Sequence, residues 1–428
     1  MNDYDADRIR EVLGRRGYEP TSDALEADVI LLNTCSIRRK AEERVLAAAS
    51  RYGALKRRRP EVVLAVAGCV AQQEGERLLD RLPAVDLVFG PDAIARAGEL
   101  LDDVRGSRRR LAATEFAPPD EYTFLTAEPS EVGVTALVTI QKGCDNGCAY
   151  CVVPGVRGAE VSRPLGKVVA EVARFVHAGA REVTLIGQNV NSYRGADAAG
   201  GFAHLLRVVA AVPDLLRVRF TTSHPRDFTR EVAEVMRDVP QVMPWLHLPV
   251  QAGSTRVLAA MRRGYTREEY LAKVELVRTL VPGVSLTTDV IVGFPGESAE
   301  DFRETLSLLD AVQFDSIYSF AYSLRPGTPA LALGDDVAPE VKRARLHEVQ
   351  ALQATITTRA LERLVGRSVE VLVEGESRRG GQVCGRTPGN HVVNFAPPAG
   401  TAAEALRGRL VTPRITCART HTLLGQVP

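Results

Sequence analysis

Helical and strand-like patterns of hydrophobic and polar positions alternate along residues 1–112, and together they predict a parallel α/β domain. Helical spacing runs through residues 5–14 and again through 37–56. Short apolar runs at 29–32, 62–67 and 87–89 indicate buried strands between the helical stretches. Helices between parallel strands act as crossover connections, so we expect a Rossmann-like, doubly wound sheet. The chain opens on a helix, whereas a domain of this kind ordinarily starts with a strand.

The pattern then changes to a linker and a second series of strands. Residues 113–135 contain five acidic residues, three prolines and no lysine or arginine, which predicts a linker. Beyond it, residues 136–365 predict six strand–helix units, which favours an incomplete parallel (β/α)6 barrel with its functional residues at the carboxyl ends of the strands. The strands are expected at 136–141, 182–186, 216–221, 245–248, 285–292 and 316–322.

A third pattern begins at residue 366, after a long helical stretch at 339–365. Strict alternation at 369–374 and frequent glycine and proline predict a small all-β barrel over residues 366–428. This module carries eight arginines against four glutamates, whereas the net charge of the whole chain is only +1. A local basic excess is compatible with RNA binding and equally with a solvated face. The basic runs at 56–59 and 108–110 have the same two interpretations.

Composition limits the class of protein. No stretch approaches the roughly 18 apolar residues of a membrane span, and the acidic amino terminus lacks the features of a signal peptide. We therefore expect a cytoplasmic protein. Seven cysteines in a chain of 428 residues are an odd number that needs no disulfide framework, so a metal or catalytic site in a reducing compartment is favoured.

Three of these cysteines follow the first predicted barrel strand with the spacing CxxxCxxC, at Cys144, Cys148 and Cys151. Three thiolates on one loop hold three irons of a 4Fe-4S cube and leave the fourth iron open to an outside ligand. A zinc site would need a fourth protein ligand, and none precedes His177. The spacing is typical of radical S-adenosylmethionine enzymes, in which Tyr150 would pack against the adenine of the cofactor.

Other candidate site residues lie just beyond or within predicted strands. Polar residues near the strand ends are candidates for cofactor and substrate contacts, although each alone is equally compatible with a turn or a satisfied core group: Gln188, Asn189, Thr222, Ser223, His224, Gln251 and Asp289. Cys35 and Cys69 each follow a predicted strand of the first domain, which places both at one sheet edge and makes them candidate metal ligands. Cys384 and Cys417 are expected to be buried, non-ligating residues.

The order of these modules resembles the radical methylthiotransferases, with a TRAM-like final module. The resemblance covers the whole chain and is closest to the tRNA branch, the MiaB-type enzymes. It rests on the following segments: LLNTCSIRRKAEE (31–43), AGCVAQQEG (67–75), CVVPGVRGAEVSRP (151–164), RFTTSHPRDF (219–228), LHLPVQAGS (246–254), DVIVGFPGE (289–297), YSLRPGTPA (322–330) and GRTPGNHVVNF (385–395).

The resemblance implies methylthiolation of carbon 2 of isopentenyladenosine beside the anticodon of tRNA. It implies S-adenosylmethionine and two 4Fe-4S clusters, one on the CxxxCxxC loop and an auxiliary, sulfur-supplying one on Cys35, Cys69 and a cysteine of a Gly-Cys-Gln-Met-Asn strand. Since this sequence starts at Met1-Asn2, we expect that strand to be encoded upstream of a misassigned start. The implied partners are the tRNA anticodon stem-loop, an electron donor and a sulfur or iron–sulfur assembly donor, and a monomer is expected. Alternatives are the same chemistry on threonylcarbamoyl-adenosine or a ribosomal-protein aspartate, and a non-catalytic RNA-binding protein.

Overall fold

A computed structural model describes residues 1–36, 39–126, 132–195, 200–377 and 380–427, with the side chains of 39–41 left out. The chain divides into two compact units. The first contains Met1–Glu128, Lys142–Asn146 and Cys151–Val161, and the second contains Pro129–Gln141, Gly147–Tyr150 and Ser162–Pro428.

The first unit is a parallel four-stranded sheet in the order β1-β2-β3-β4, with helices around it. Its elements are α1 (Asn2–Gly14), β1 (Val29–Thr34), α2 (Arg39–Lys56), β2 (Val63–Gly68), α3 (Cys69–Glu74), α4 (Glu76–Arg81), β3 (Leu87–Phe89), α5 (Ala97–Ser107), β4 (Leu111–Ala113) and α6 (Val153–Arg157). All six residues of β2 are buried, because apolar clusters cover both faces of the sheet. The predicted helix–strand alternation is confirmed, whereas β4 was not predicted, and only its last residue, Ala113, falls in the predicted linker.

The acidic segment after β4 contacts the first unit as far as Leu125. The backbone N–H of Ala117 donates to Asp92 at 3.1 Å, and the Tyr4 hydroxyl donates to the carbonyl of Leu125 at 3.3 Å. Residues 127–131, with Glu128, Pro129 and Glu131 of the predicted linker, lie outside the described residues.

The barrel of the second unit contains all six predicted parallel strands. They are β5 (Thr135–Thr139), β8 (Glu182–Ile186), β9 (Arg217–Phe220), β10 (Trp245–His247), β11 (Ser285–Val292) and β12 (Ser316–Ala321), and two short strands, β6 (Gln141–Lys142) and β7 (Val161–Ser162), flank the cysteine loop. The helices are α7 (Leu165–His177), α8 (Gly201–Ala210), α9 (Arg230–Asp238), α10 (Thr255–Ala260), α11 (Arg267–Leu280), α12 (Ala299–Val312) and α13 (Pro339–Glu362). The strands form two three-stranded sheets, β5-β8-β9 and β10-β11-β12, joined by one parallel bridge between Val218 and Val242.

The carboxyl-terminal module is a six-stranded, curled sheet. Its elements are β13 (Val371–Glu376), β14 (Val383–Arg386), β15 (Val392–Ala396), α14 (Ala403–Leu406), β16 (Leu410–Val411), β17 (Arg414–Ala418) and β18 (Thr422–Gln426), in the sheet order β16-β13-β14-β15-β18-β17. A bridge between Ser368 and Arg414 connects the β17 edge to the chain just before β13. Alternating apolar residues such as Val371, Val393 and Phe395 fill the interior, which confirms the all-β prediction.

The turn between β14 and β15 docks this module on the barrel. Arg219 of β9 donates to the carbonyls of Pro388 and Thr387 at 2.7 and 2.8 Å, and Arg217 donates to the carbonyl of Arg386 at 2.7 Å. His391 lies 3.3 Å from Asp315, directly before β12. Arg217 is the first residue of β9 and Asp315 directly precedes β12, so these two contacts lie at the amino ends of their strands.

Candidate active site

The CxxxCxxC cysteines occupy the segment between β6 and α6. Cys144 and Cys148 are buried, and Cys151 is partly exposed. The segment begins at Gly143, whose φ of 76° and close approach to the Ala159 carbonyl leave no space for a Cβ atom. The backbone N–H of Cys144 donates to the Gly158 carbonyl at 3.2 Å, and that of Val153 points at the Cys151 sulfur at 3.5 Å.

An arginine that the sequence analysis missed contacts one of these cysteines. The guanidinium of Arg263, which is 4% exposed, donates to the Cys148 sulfur at 3.3 Å and to the Tyr150 hydroxyl at 3.2 Å. A further bond to the Pro249 carbonyl at 2.9 Å fixes the side chain. Arg263 thus places a permanent positive charge directly beside this sulfur. Tyr150, predicted to pack against adenine, here bonds through its hydroxyl.

Three of the predicted strand-end residues, Gln188, Asn189 and His224, lie in one polar cluster beside the cysteine segment. The backbone N–H groups of Gln188 and Asn189 donate to the Gln141 side chain at 2.8 and 3.1 Å. The Asn189 amide donates to Asp227 at 2.7 Å. The His224 ring lies 3.8 Å from the Cys148 sulfur, and burial, with Arg263 adding to it, lowers the pKa of His224 to about 3. A neutral imidazole therefore faces this cysteine at physiological pH.

The remaining strand-end residues combine backbone strain with unsatisfied polar atoms. Thr222 and Gln251 have φ values of 71° and 74°, a region that a β-branched residue such as threonine rarely occupies. Among the described residues, nothing offers a hydrogen bond to Ser223 Oγ, Gln251 Oε1 or Asn189 Oδ1, although all three atoms are buried. Such orphaned groups are costly unless a ligand pairs with them. Their positions suit a polar cofactor such as S-adenosylmethionine.

Asp289 lies apart from that network, on the inner wall of the barrel. His247 Nε2 is 3.6 Å from Asp289 Oδ1, and His247 Nδ1 is 3.0 Å from the Thr287 hydroxyl. The His247 ring also contacts the ring of Tyr318, with centroids 6.0 Å apart. Neither His247 nor Tyr318 was predicted from the sequence, because an apolar-flanked histidine and a strand tyrosine carry no local signal.

Cys35 and Cys69 share one edge of the first unit's sheet, as predicted. Residues Thr34 and Gly68 are paired in the parallel register of β1 and β2, and the two cysteines directly follow them. Burial raises the pKa of the Cys69 thiol, while a hydrogen bond from Arg157 opposes that rise. Arg157 is itself buried and forms an ion pair with Asp5 of α1.

Whether these cysteines can bind a metal group depends on whether that group is a single ion or an iron–sulfur cluster. Within the described ranges, no three histidine, cysteine or acidic side chains converge on a single ion. A 4Fe-4S cube takes one thiolate per iron, so its ligands need not meet at a point. Three cysteines on one segment, with donors directed at Cys148 and Cys151, fit such a group.

Cys384 and Cys417 are partly exposed, not buried as predicted, because they lie on half-covered strands of the small sheet.

Several predicted basic residues have structural roles within the first unit. Lys56 forms an ion pair with Asp86, and Arg59 pairs with Glu61 at 2.9 Å. Arg110 donates to the carbonyl of Val85 at 2.8 Å. Arg378 and Arg379, which were counted in the carboxyl-terminal basic excess, lie outside the described residues.

In the part of the chain that the structure describes, no helix has the length and hydropathy needed to cross a membrane.

Comparison with known proteins agrees with this architecture. Family profiles match residues 1–90 (Uncharacterized protein family UPF0004), 138–309 (Radical SAM superfamily) and 362–427 (TRAM domain). The chain is similar in fold to the radical S-adenosylmethionine methyltransferase TsrM from Kitasatospora setae, whose structure contains cobalamin and a 4Fe-4S cluster. The TM-score is 0.57 at 17% identity, over 79% of this chain and 77% of that one.

Curated relatives match over nearly the full length. A tRNA-2-methylthio-N(6)-dimethylallyladenosine synthase from Methylococcus capsulatus is 46% identical over 100% of this chain and 93% of its own. The synthase from Anaeromyxobacter sp. (strain K) is 50% identical over 99% of this chain and 91% of its own. The chain therefore belongs to the family of tRNA-2-methylthio-N(6)-dimethylallyladenosine synthases, within the radical S-adenosylmethionine enzymes.

Proposed function

We propose that this chain is a radical S-adenosylmethionine enzyme that methylthiolates carbon 2 of dimethylallyladenosine (isopentenyladenosine) beside the anticodon of tRNA. The observation that carries the proposal is the buried contact between Arg263 and Cys148, next to strand ends with unsatisfied polar atoms. The near-full-length relatives named for this reaction support the choice of substrate.

Cys144, Cys148 and Cys151 would hold the 4Fe-4S cluster that opens S-adenosylmethionine. When bound, this cluster supplies the electron that cleaves the sulfonium and generates a 5′-deoxyadenosyl radical. Arg263 holds positive charge against Cys148, and neutral His224 packs beside the same sulfur. Asn189, Ser223 and Gln251 present unpaired acceptor or hydroxyl atoms that bind and orient the polar groups of the cofactor.

Cys35 and Cys69 would provide thiolates for the auxiliary, sulfur-supplying cluster. Arg157 belongs to α6, six residues beyond Cys151, and joins Cys69 to Asp5 through its guanidinium. Its ionic and hydrogen-bond contacts hold the Cys69 side chain in place.

The carboxyl-terminal TRAM module supplies the RNA-binding surface for the tRNA anticodon stem-loop. Phosphate contacts provide affinity for RNA, while an unstacked base is read in a pocket. The docked β14–β15 turn holds the module in a fixed position on the barrel. The same proposal places the enzyme in the cytoplasm as a monomer, with a separate electron donor and a separate sulfur donor.

Nucleoside mass spectrometry of tRNA from a deletion strain tests this function. Loss of methylthio-dimethylallyladenosine, restored by the wild-type gene, is the expected result. Unchanged levels would contradict the proposal, and a change in methylthio-threonylcarbamoyl-adenosine or in a ribosomal-protein aspartate would identify one of the alternative substrates. Anaerobic reconstitution adds an independent readout: about eight irons per chain indicate two cubes, whereas tight tRNA binding without iron indicates a binding protein.

A further inference from the structure

We propose that Tyr318, His247 and Asp289 form the surface that recognises the target adenine inside the barrel. This inference deepens the proposed function and rests on it. Tyr318 stacks on the flipped base, while His247 and Asp289 bond to the edge of the base that carries N1 and the N6 amine.

The strand register places the three side chains on one face of the β10-β11-β12 sheet. His247 is paired with Thr287, and Asp289 is paired with Tyr318. Neighbouring positions face the opposite way: Ser319, next to Tyr318, accepts a hydrogen bond from Gln350 of the covering helix α13 at 3.4 Å. The three side chains therefore line the face that is directed away from the helices.

Tyr318 is exposed where most neighbouring aromatic residues are covered. Tyr318 is 55% exposed, whereas Phe314 and Tyr322, which flank the same strand, are at most 6% exposed. A large ring held on a rigid strand loses little entropy when a base stacks on it. Exposed aromatic rings are the usual platforms for unstacked bases. The exposed ring therefore suits a nucleobase that has left the anticodon loop.

His247 and Asp289 present a hydrogen-bond donor beside an acceptor. When the Thr287 hydroxyl donates to Nδ1 of His247 at 3.0 Å, the ring proton resides on Nε2. This Nε2–H lies 3.6 Å from the Asp289 carboxylate. Adenine offers the complementary pair, an acceptor at N1 and a donor at N6, and the dimethylallyl group leaves one N6 hydrogen. Contact at N1 also holds the adjacent carbon 2 close to this wall.

Binding of synthetic anticodon stem-loops, followed by fluorescence anisotropy on the reconstituted full-length protein, tests the stacking platform. The RNA carries dimethylallyladenosine at the target position. We expect Tyr318→Ala to weaken binding about 5- to 150-fold, the range of one lost base–aromatic stack. Tyr318→Phe keeps the ring and should retain affinity. The matched control is Ser316→Ala, two residues away on the same face. Equal affinities for Tyr318→Ala and Ser316→Ala would refute the platform.

Replacement of the target base tests the edge contacts. Inosine reverses the adenine pattern, because its N1 is a donor and its O6 is an acceptor. The wild type should bind the RNA with adenosine at the target position more tightly than the RNA with inosine there. The isosteric Asp289→Asn should reduce this ratio of affinities at least about 5-fold. An unchanged preference would overturn the role of Asp289. If the wild type binds neither RNA, the proposed function fails together with this inference, whereas tight wild-type binding with unaffected variants removes the inference alone. Thermal melting of each variant shows that it is folded.

Discussion

Removal of the Arg219 guanidinium tests how the TRAM module is held on the barrel. Arg219 donates to two carbonyls of the β14–β15 turn, and its Nε lies 3.0 Å from the Glu182 carboxylate. Both side chains of that ion pair are at least 96% buried, with 2% and 4% exposure. Arg219→Met keeps the apolar length of the side chain and leaves Glu182 as a buried charge without its partner. We expect a loss of about 3–5 kcal/mol in the free energy of unfolding.

The double variant Arg219→Met/Glu182→Gln separates the charge from the docking bonds. With both charges removed, the remaining cost is that of two hydrogen bonds to carbonyls, about 1–3 kcal/mol in total. Urea unfolding of the full chain measures these differences, and hydrogen exchange of residues 386–391 reports on the turn itself. A single variant within about 1 kcal/mol of the wild type, or a double variant no more stable than the single one, would refute the reasoning.

Three further predictions concern the cysteine sites and the barrel. We expect 5′-deoxyadenosine formation, measured by chromatography, to be abolished in each of Cys144→Ala, Cys148→Ala and Cys151→Ala, and activity in any of these three contradicts the assignment. The iron content should be unchanged in Cys384→Ala and Cys417→Ala. Arg157→Met should lower the iron bound at Cys35 and Cys69 while the barrel cluster remains, so an unaltered iron count would argue against a positioning role for Arg157. Burial alone would raise the pKa of Asp301, but hydrogen bonds from Arg256, Ser254 and Ser298 outweigh it and hold this pKa well below its usual range. Asp301 therefore stabilises the fold above the unfolded pKa of about 3.9, and this contribution is lost as the pH falls below that value. Asp301→Asn should flatten the acid limb of a curve of unfolding free energy against pH. An acid limb as steep as that of the wild type would contradict this prediction.

Periodicity was sufficient to predict the order of modules and all six barrel strands. Strands such as β8 and β11 were predicted with the bounds that the structure has, because their apolar runs end at turn residues. The short strand β4 was missed, since three residues after a basic run give too little pattern to recognise. Its backbone is ordered by pairing with β3, which is a tertiary effect.

The candidate site could be predicted only where its chemistry has local spacing. Three cysteines on one segment are recognisable from their spacing in the sequence. In contrast, Arg263 lies 115 residues from Cys148, and Arg157 lies 152 residues from Asp5. No periodic signal joins such pairs. His247 and Tyr318 likewise come together only through the register of parallel strands, so their relation depends on the folded barrel.

The unsatisfied atoms at the carboxyl ends of the barrel strands imply that S-adenosylmethionine stabilises the second unit. Ser223 Oγ and Gln251 Oε1 have no hydrogen-bond partner among the described residues, and the strained backbone at Gln251 adds to the cost. A ligand that binds only the folded state adds about 2.7 kcal/mol at 100 times its dissociation constant. We therefore expect S-adenosylmethionine to raise the melting temperature of the anaerobically reconstituted protein, and Ser223→Ala to reduce that rise more than it changes the melting temperature without ligand. An equal rise in both proteins would show that Ser223 takes no part in binding the cofactor, and the absence of any rise in the wild type would contradict a ligand site at these strand ends.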